Sequence, residues 1–175
     1  MTDDQAPFEP SFEDPSDASL WRPLHALVAG VDAEIAQVYA DAAIKGVKTN
    51  WVRELLRLHR DGPMTITELA ESVDRTHSAL SQKVAAMRKA GLVRTTPGPD
   101  DARTKQVELT PKARALAPRL AAEWRATEAT LAELEAEIPY PISRAVADLE
   151  QALARKSFHA RMTERLREDP AWRGE

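Results

Sequence analysis

The chain contains no cysteine. That excludes disulfides, thiolate nucleophiles, thiol-based redox sensing and cysteine-ligated metal. Glycine is scarce, six residues in 175, and neither a phosphate-cradling Gly-rich loop nor a Gly-x-Ser-x-Gly elbow occurs. The four histidines lie far apart and form no His-Glu-x-x-His pair, so no enzyme, cofactor or metal centre is expected. No apolar run approaches a membrane span or the core of a secretion signal, so the expectation is a cytoplasmic protein with no membrane partner. What is present, 43% hydrophobic and 30% charged residues, is the balance of a helix-rich globular chain.

Positive charge is also in deficit, with a formal net charge of -4, but the deficit is local. The first nineteen residues hold Asp3, Asp4, Glu9, Glu13, Asp14 and Asp17 and no base, whereas between Lys45 and Lys105 twelve Lys and Arg face seven Asp and Glu, roughly +5. Phosphate attraction is screened over about 10 Å at moderate salt, so a basic face can hold nucleic acid on an acidic chain. The acidic opening, Pro-containing and aperiodic, reads as a mobile tail over 1–19.

The densest pattern runs from Ile66 to Thr110. Leu69, Ala70 and Val73 form one short apolar stripe, with Ala70 small enough for a second helix to cross closely. Asp74 and Arg75 break the rhythm. Thr76 is placed to cap a second helix in which Leu80, Val84 and Met87 turn inward. That arrangement leaves His77, Ser78, Ser81, Gln82 and Lys83 on the opposite face, short donors and acceptors plus a cation, suited to base edges and phosphates in a major groove. Gly91 ends the helix, with Arg88 and Lys89 at the negative end of its dipole. Leu92–Thr96 and Gln106–Leu109 read as two strands around the turn residues Pro97–Asp101. Arg103 and Lys105 fall at the hairpin tip, where cations can meet a minor groove or the backbone.

This is a winged helix-turn-helix, and the residues LAESVDRTHSALSQKVAAMRKAGLV (69–93) with DDARTKQVELTPKA (100–113) resemble the MarR family of bacterial transcription regulators. The likeness includes the Asp101-x-Arg103 wing motif followed by Leu109-Thr110, and it extends at lower specificity from about Leu20 to Leu166. Asp74 and Arg75 stand where the family often has Gly and an aliphatic residue, and Ala113 where a Gly is common. The resemblance implies a homodimer on an inverted-repeat duplex, acting as a repressor released by a small aromatic or anionic effector bound between the helical region and the DNA-reading lobe. His25, Trp51, Arg53 and His59 are the candidate lining residues, set against the plainer reading of Trp51 as a core residue and of a lone His as a structural one.

Outside this lobe the pattern is helical. Leu24, Leu27 or Val28, Val31, Ile35 and Val38 recur at three and four residues to about Ala43, and a second stripe runs from Asn50 to Arg60. After Pro111 a long helix carries Leu116, Leu120, Trp124, Leu131, Leu134 and Ile138 up to Pro139-Tyr140-Pro141. A final helix carries Ile142, Val146, Leu149, Leu153 and Phe158. These stripes exceed what one small core needs, so helices from both chain ends are expected to form a dimer. The organisation expected is a mainly α protein with a small β-hairpin wing: an acidic tail (1–19), an N-terminal dimerisation helix (20–45), the winged lobe (46–110), C-terminal dimerisation helices (111–168) and a short tail (169–175). The rival reading is a winged-helix protein-interaction module without specific DNA binding.

Overall fold

The computed structural model describes residues 14–98 and 104–174. Most of the acidic tail lies outside them. Its last part makes one 3-10 turn, Pro15–Asp17, whose leading Asp14 carboxylate accepts from the Ser16 N–H at 2.8 Å. The chain divides into two compact units between Ala113 and Arg114.

The first unit contains α1 (Arg22–Asp41), a 3-10 turn (Thr49–Trp51) leading into α2 (Val52–Asp61), β1 (Met64–Thr65), α3 (Ile66–Ser72), α4 (His77–Lys89), β2 (Val93–Pro97) and β3 (Lys105–Leu109). Its core joins Val52, Leu55 and Leu58 of α2, Leu69, Ala70 and Val73 around α3, Leu80, Val84 and Met87 of α4, and Leu92, Val93, Val107 and Leu109 of the sheet region, each at most 5% exposed. Burial contributes about 1.5–3 kcal/mol for each large aliphatic member, so the stripes read from sequence are the ones that fix α3 against α4. Helix α3 opens with a capping box outside the sequence reading. Thr65 Oγ1 accepts from the Glu68 N–H at 3.2 Å, and Glu68 Oε2 accepts from the Thr65 N–H at 2.8 Å. The Thr65 N–H foremost, then its hydroxyl, hold the Glu68 carboxyl below its ordinary range. The cap therefore stabilises α3 at neutral pH and fails as pH drops through that lowered value.

Three helices of this unit end alike. The residue after each C-cap is left-handed: Ala43 (φ 54), Asp74 (φ 54) and Gly91 (φ 71). The next N–H then reaches back five residues, Ile44 to the Tyr39 carbonyl at 2.9 Å, Arg75 to Ala70 at 3.0 Å and Leu92 to Met87 at 3.0 Å, satisfying a carbonyl that the helix end would leave open. Asp74 thus takes the conformation for which the resemblance expects Gly; a short polar side chain tolerates it better than an aliphatic one. Ala43 has no such relief. Ala43→Gly should raise stability by about 1 kcal/mol, roughly 2–4 °C in Tm for a chain of this size. An unchanged midpoint in thermal unfolding would show that the left-handed Ala is unstrained.

The hairpin is part of a three-stranded antiparallel sheet of order β1-β3-β2. Met64 pairs with Val107, and β2 pairs with β3 from Val93↔Leu109 to Pro97↔Lys105. Two residues are too few to show alternation, so β1 has no signal of its own in the sequence. Pro97, read as turn, is the last residue of β2. The bonds Thr110 N–H to Leu92 O (3.0 Å) and Gly98 N–H to Thr104 O (2.6 Å) put the even-numbered residues of β2 in bonded pairs, so the N–H that Pro97 lacks would have pointed away from β3.

Helix α5 (Pro111–Glu137) begins on Pro, as expected, and continues into the second unit, which adds α6 (Ile142–Arg155), α7 (Phe158–Glu168) and the single turn α8 (Pro170–Arg173). The final stripe, read as one helix through Phe158, is broken. Lys156 is extended (φ -152, ψ 115), and Ser157 caps α7, its Oγ accepting from the Ala160 N–H at 3.1 Å. Between α5 and α6, the Ser143 N–H and hydroxyl both donate to the Glu135 carboxylate at 2.6 Å. The stripes of this unit face outward: Leu131 and Leu134 on α5, Ile138 just after it, and Ile142, Val146, Leu149 and Leu153 on α6 are each 40–49% exposed. Their three-and-four spacing is that of a helix–helix seam. In the first unit, Leu24, Leu27, Val28 and Val38 of α1 are exposed as well.

Candidate nucleic-acid interface

Helix α4 is seated by its buried stripe and started by Thr76, whose Oγ1 accepts from the Ala79 N–H at 3.3 Å. The same stripe leaves Thr76, His77, Ser78 and Gln82 exposed. They form a hydroxyl, imidazole and carboxamide face able to donate to and accept from base edges. Ser81 is half-buried and lines a cavity of about 390 Å³ between α4 and the sheet, together with Arg88, Thr95, Thr96 and Lys105 over Val84 and Val107. Arg88, which the sequence suggested only as a dipole partner, therefore stands beside Lys105 on one groove. Lys105 is exposed, and Arg103 lies outside the described residues.

Lys83 does not share the outward face expected for it. Its ammonium donates to Glu54 Oε1 at 2.6 Å and to the Asn50 carbonyl at 2.8 Å. Glu54 is 2% exposed and the Lys83 side chain 21%. The lysine sits at the edge of the apolar stripe and faces α2, where a buried carboxylate holds it. Three further cations of the lobe are also paired: Arg53 with Asp74 at 3.2 Å, Arg60 with Asp61 at 2.6 Å and Arg94 with Glu108 across the strands at 2.8 Å. Among the described residues, Arg75, Arg88 and Lys89 have no carboxylate within ion-pair distance, so they concentrate the positive potential of α4 at its two ends.

The four residues expected to line an effector crevice have different surroundings. His25 is exposed on α1 and His59 on the last turn of α2, Arg53 is engaged with Asp74, and Trp51 is a core residue at 7% exposure. None of them lines the α4 groove or a second cavity, of about 640 Å³, that lies between the end of α1 and residues 43–50. Among the described residues no group of three His, Asp or Glu could hold a metal ion, and no helix is long and apolar enough to cross a membrane.

Residues 45–104, the stretch that builds α2 to the start of the wing, match the MarR family. No curated protein matches the chain. Among solved structures, the S. aureus MepR–DNA complex is 18% identical over 78% of this chain and 97% of its own, with a TM-score of 0.58. The heme sensor protein PefR, with heme and carbon monoxide bound, is 16% identical over 80% and 98%, with a TM-score of 0.56. Overoxidized AbfR bound to DNA is 16% identical over 76% and 86%, with a TM-score of 0.50. At these identities the likeness is one of fold. With the capped α4 and the hairpin on the page, the match over residues 45–104 makes this lobe similar to that of the MarR family, and the chain shares the winged helix-turn-helix fold of these solved structures.

Proposed function

We propose that the protein acts in the cytoplasm as a homodimeric repressor that binds an inverted-repeat duplex and releases it when a small ligand stabilises a geometry unsuited to both half-sites. The observation that carries the DNA-reading part is the division of α4, with Leu80, Val84 and Met87 buried and Thr76, His77, Ser78 and Gln82 exposed. Two such helices related by a two-fold axis would reach half-sites about one turn, roughly 34 Å, apart. The exposed seams of α1, α5 and α6 supply the surface for that two-fold. MepR and AbfR are solved on DNA, and PefR is a heme sensor, so the fold supports both operator binding and ligand response.

Selection of duplex fragments by the purified protein tests this reading, and an enriched inverted repeat is the expected result. Gln82→Ala should relax preference at one base pair, worth about 1–3 kcal/mol of discrimination. Arg88→Ala and Lys105→Ala should instead weaken every duplex alike, each lowering the slope of log K against log salt by about 0.9. Recovery of no enriched duplex at low salt would overturn the proposal.

A further inference from the structure

The second unit ends in a basic, aromatic arm. Lys156 breaks the helix, and the Arg161 guanidinium ties the break to the end of α6 by donating to the Ala152 and Lys156 carbonyls, both at 3.0 Å. Beyond it, Phe158 and Met162 stand four residues apart on α7, hence on one side of it, at 69% and 46% exposure, and Trp172 of α8 is 69% exposed. Residues 155–173 hold six Lys and Arg against three Asp and Glu. Lys156 is paired with Glu164, whereas Arg155, Arg165 and Arg167 are exposed and have no carboxylate within ion-pair distance among the described residues. Aromatic rings edged by guanidinium groups fit a partner that carries both carboxylates and rings of its own.

Such a segment opens the chain. Residues 1–21 carry six carboxylates and no Lys or Arg, and Phe-Glu occurs twice four residues apart, at Phe8-Glu9 and Phe12-Glu13. Thirteen of these residues lie outside the described ones, and the segment joins the structure at Asp14. Extended, thirteen residues span at most about 45 Å, whereas the eleven residues of α7 rise only about 16 Å. The segment is thus long enough to run the length of the arm. Where it meets α1, Leu20 and Trp21 are 91% and 53% exposed. In the single chain, then, the described end of the segment and the aromatic side of the arm are both open. The arm of another copy would not cover this surface, because it would set arginine against arginine.

We propose that residues 1–21 of a second copy lie along α7 and α8, their carboxylates on Arg155, Arg165 and Arg167 and their rings against Phe158, Met162 and Trp172. This contact rests on the two-fold assembly proposed above and adds to its helical seams a pairing of opposite chain ends.

The test reads amide exchange in α7 and α8 of the full chain at low salt. Exchange should be slower in the parent than in Glu9→Lys/Glu13→Lys or Arg165→Glu/Arg167→Glu by about tenfold or more. In 1 M NaCl, where the Debye length is about 3 Å, the parent should lose most of that protection. All four substitutions in one chain should regain it, which separates charge pairing from the loss of two cations in the last turn of α7. The two charge-reversed variants, co-expressed under different tags and purified as a mixed dimer, should regain it as well, because each arm then faces a segment of opposite charge in the other copy. Equal exchange in the parent and both variants overturns the contact. So does protection that appears only when phosphatidylglycerol vesicles or duplex are added, which would make a membrane or nucleic acid the occupant. A mixed dimer that exchanges fast while the fourfold variant is protected places the pairing within one chain and overturns the second-copy assignment. Sedimentation equilibrium keeps the two readings apart: a dimeric parent without restoration in the mixture overturns this contact alone, and a monomeric parent overturns the two-fold as well.

Discussion

Lys83→Met is expected to lower folding stability by about 3 kcal/mol, because it leaves the Glu54 carboxylate buried without its counter-charge. The lower end of the range for broken buried pairs applies, since Lys83 keeps about a fifth of its side chain in water. Glu54→Leu/Lys83→Met should recover most of the loss, as apolar replacement of both partners removes the desolvation penalty along with the attraction. Urea unfolding of the parent, the two single variants and the double variant closes the cycle. The same variants separate structure from recognition: if Lys83 were a phosphate contact, the stability-restored double variant would still bind duplex with a shallower salt slope. We expect an unchanged slope, and a drop of about 0.9 would return Lys83 to the DNA face.

Leu149→Glu should turn the proposed dimer into a monomer and weaken duplex binding by about a hundredfold or more, since two linked half-site contacts would become independent ones. Leu149 lies mid-seam on α6 at 49% exposure in the single chain. A carboxylate there should change protomer stability by no more than about 0.5 kcal/mol, yet it would be buried unpaired in a helix–helix interface. Sedimentation equilibrium and duplex titration on the same sample read the two effects together. A variant that stays dimeric despite the new carboxylate would move the two-fold to other surfaces.

The lobe was legible because α3, α4 and the hairpin are short, local and strongly patterned. Leu80, Val84 and Met87 allow one inward face only, and Thr76 and Gly91 mark its ends. Two of the misses share a cause. Lys83 sits at the margin of the stripe, where period alone permits either orientation, and its partner Glu54 is 29 residues away. β1 exists only because Val107 and Gln106 are there to pair with Met64 and Thr65. The break at Lys156 is a miss of another kind, since the step from Leu153 to Phe158 is five residues and Ser157 is a good cap, just as Thr65-x-x-Glu68 is a readable capping box. An effector crevice assembled from His25, Trp51, Arg53 and His59 was a statement about which helices meet, and the positions of single side chains do not follow from that.

The two outer strands of the sheet also bear on how this protein survives without its duplex. A sheet edge is a template for any extended segment, including another copy's wing. Here one edge is β1, only two residues long, and the other is β2, whose last residue is Pro97. The donor missing from Pro97 is on the open side, so it removes a rung from intermolecular pairing and none from the hairpin. The wing should therefore resist fibril growth at high concentration, and Pro97→Val would restore a full edge and shorten the lag of aggregation on agitation.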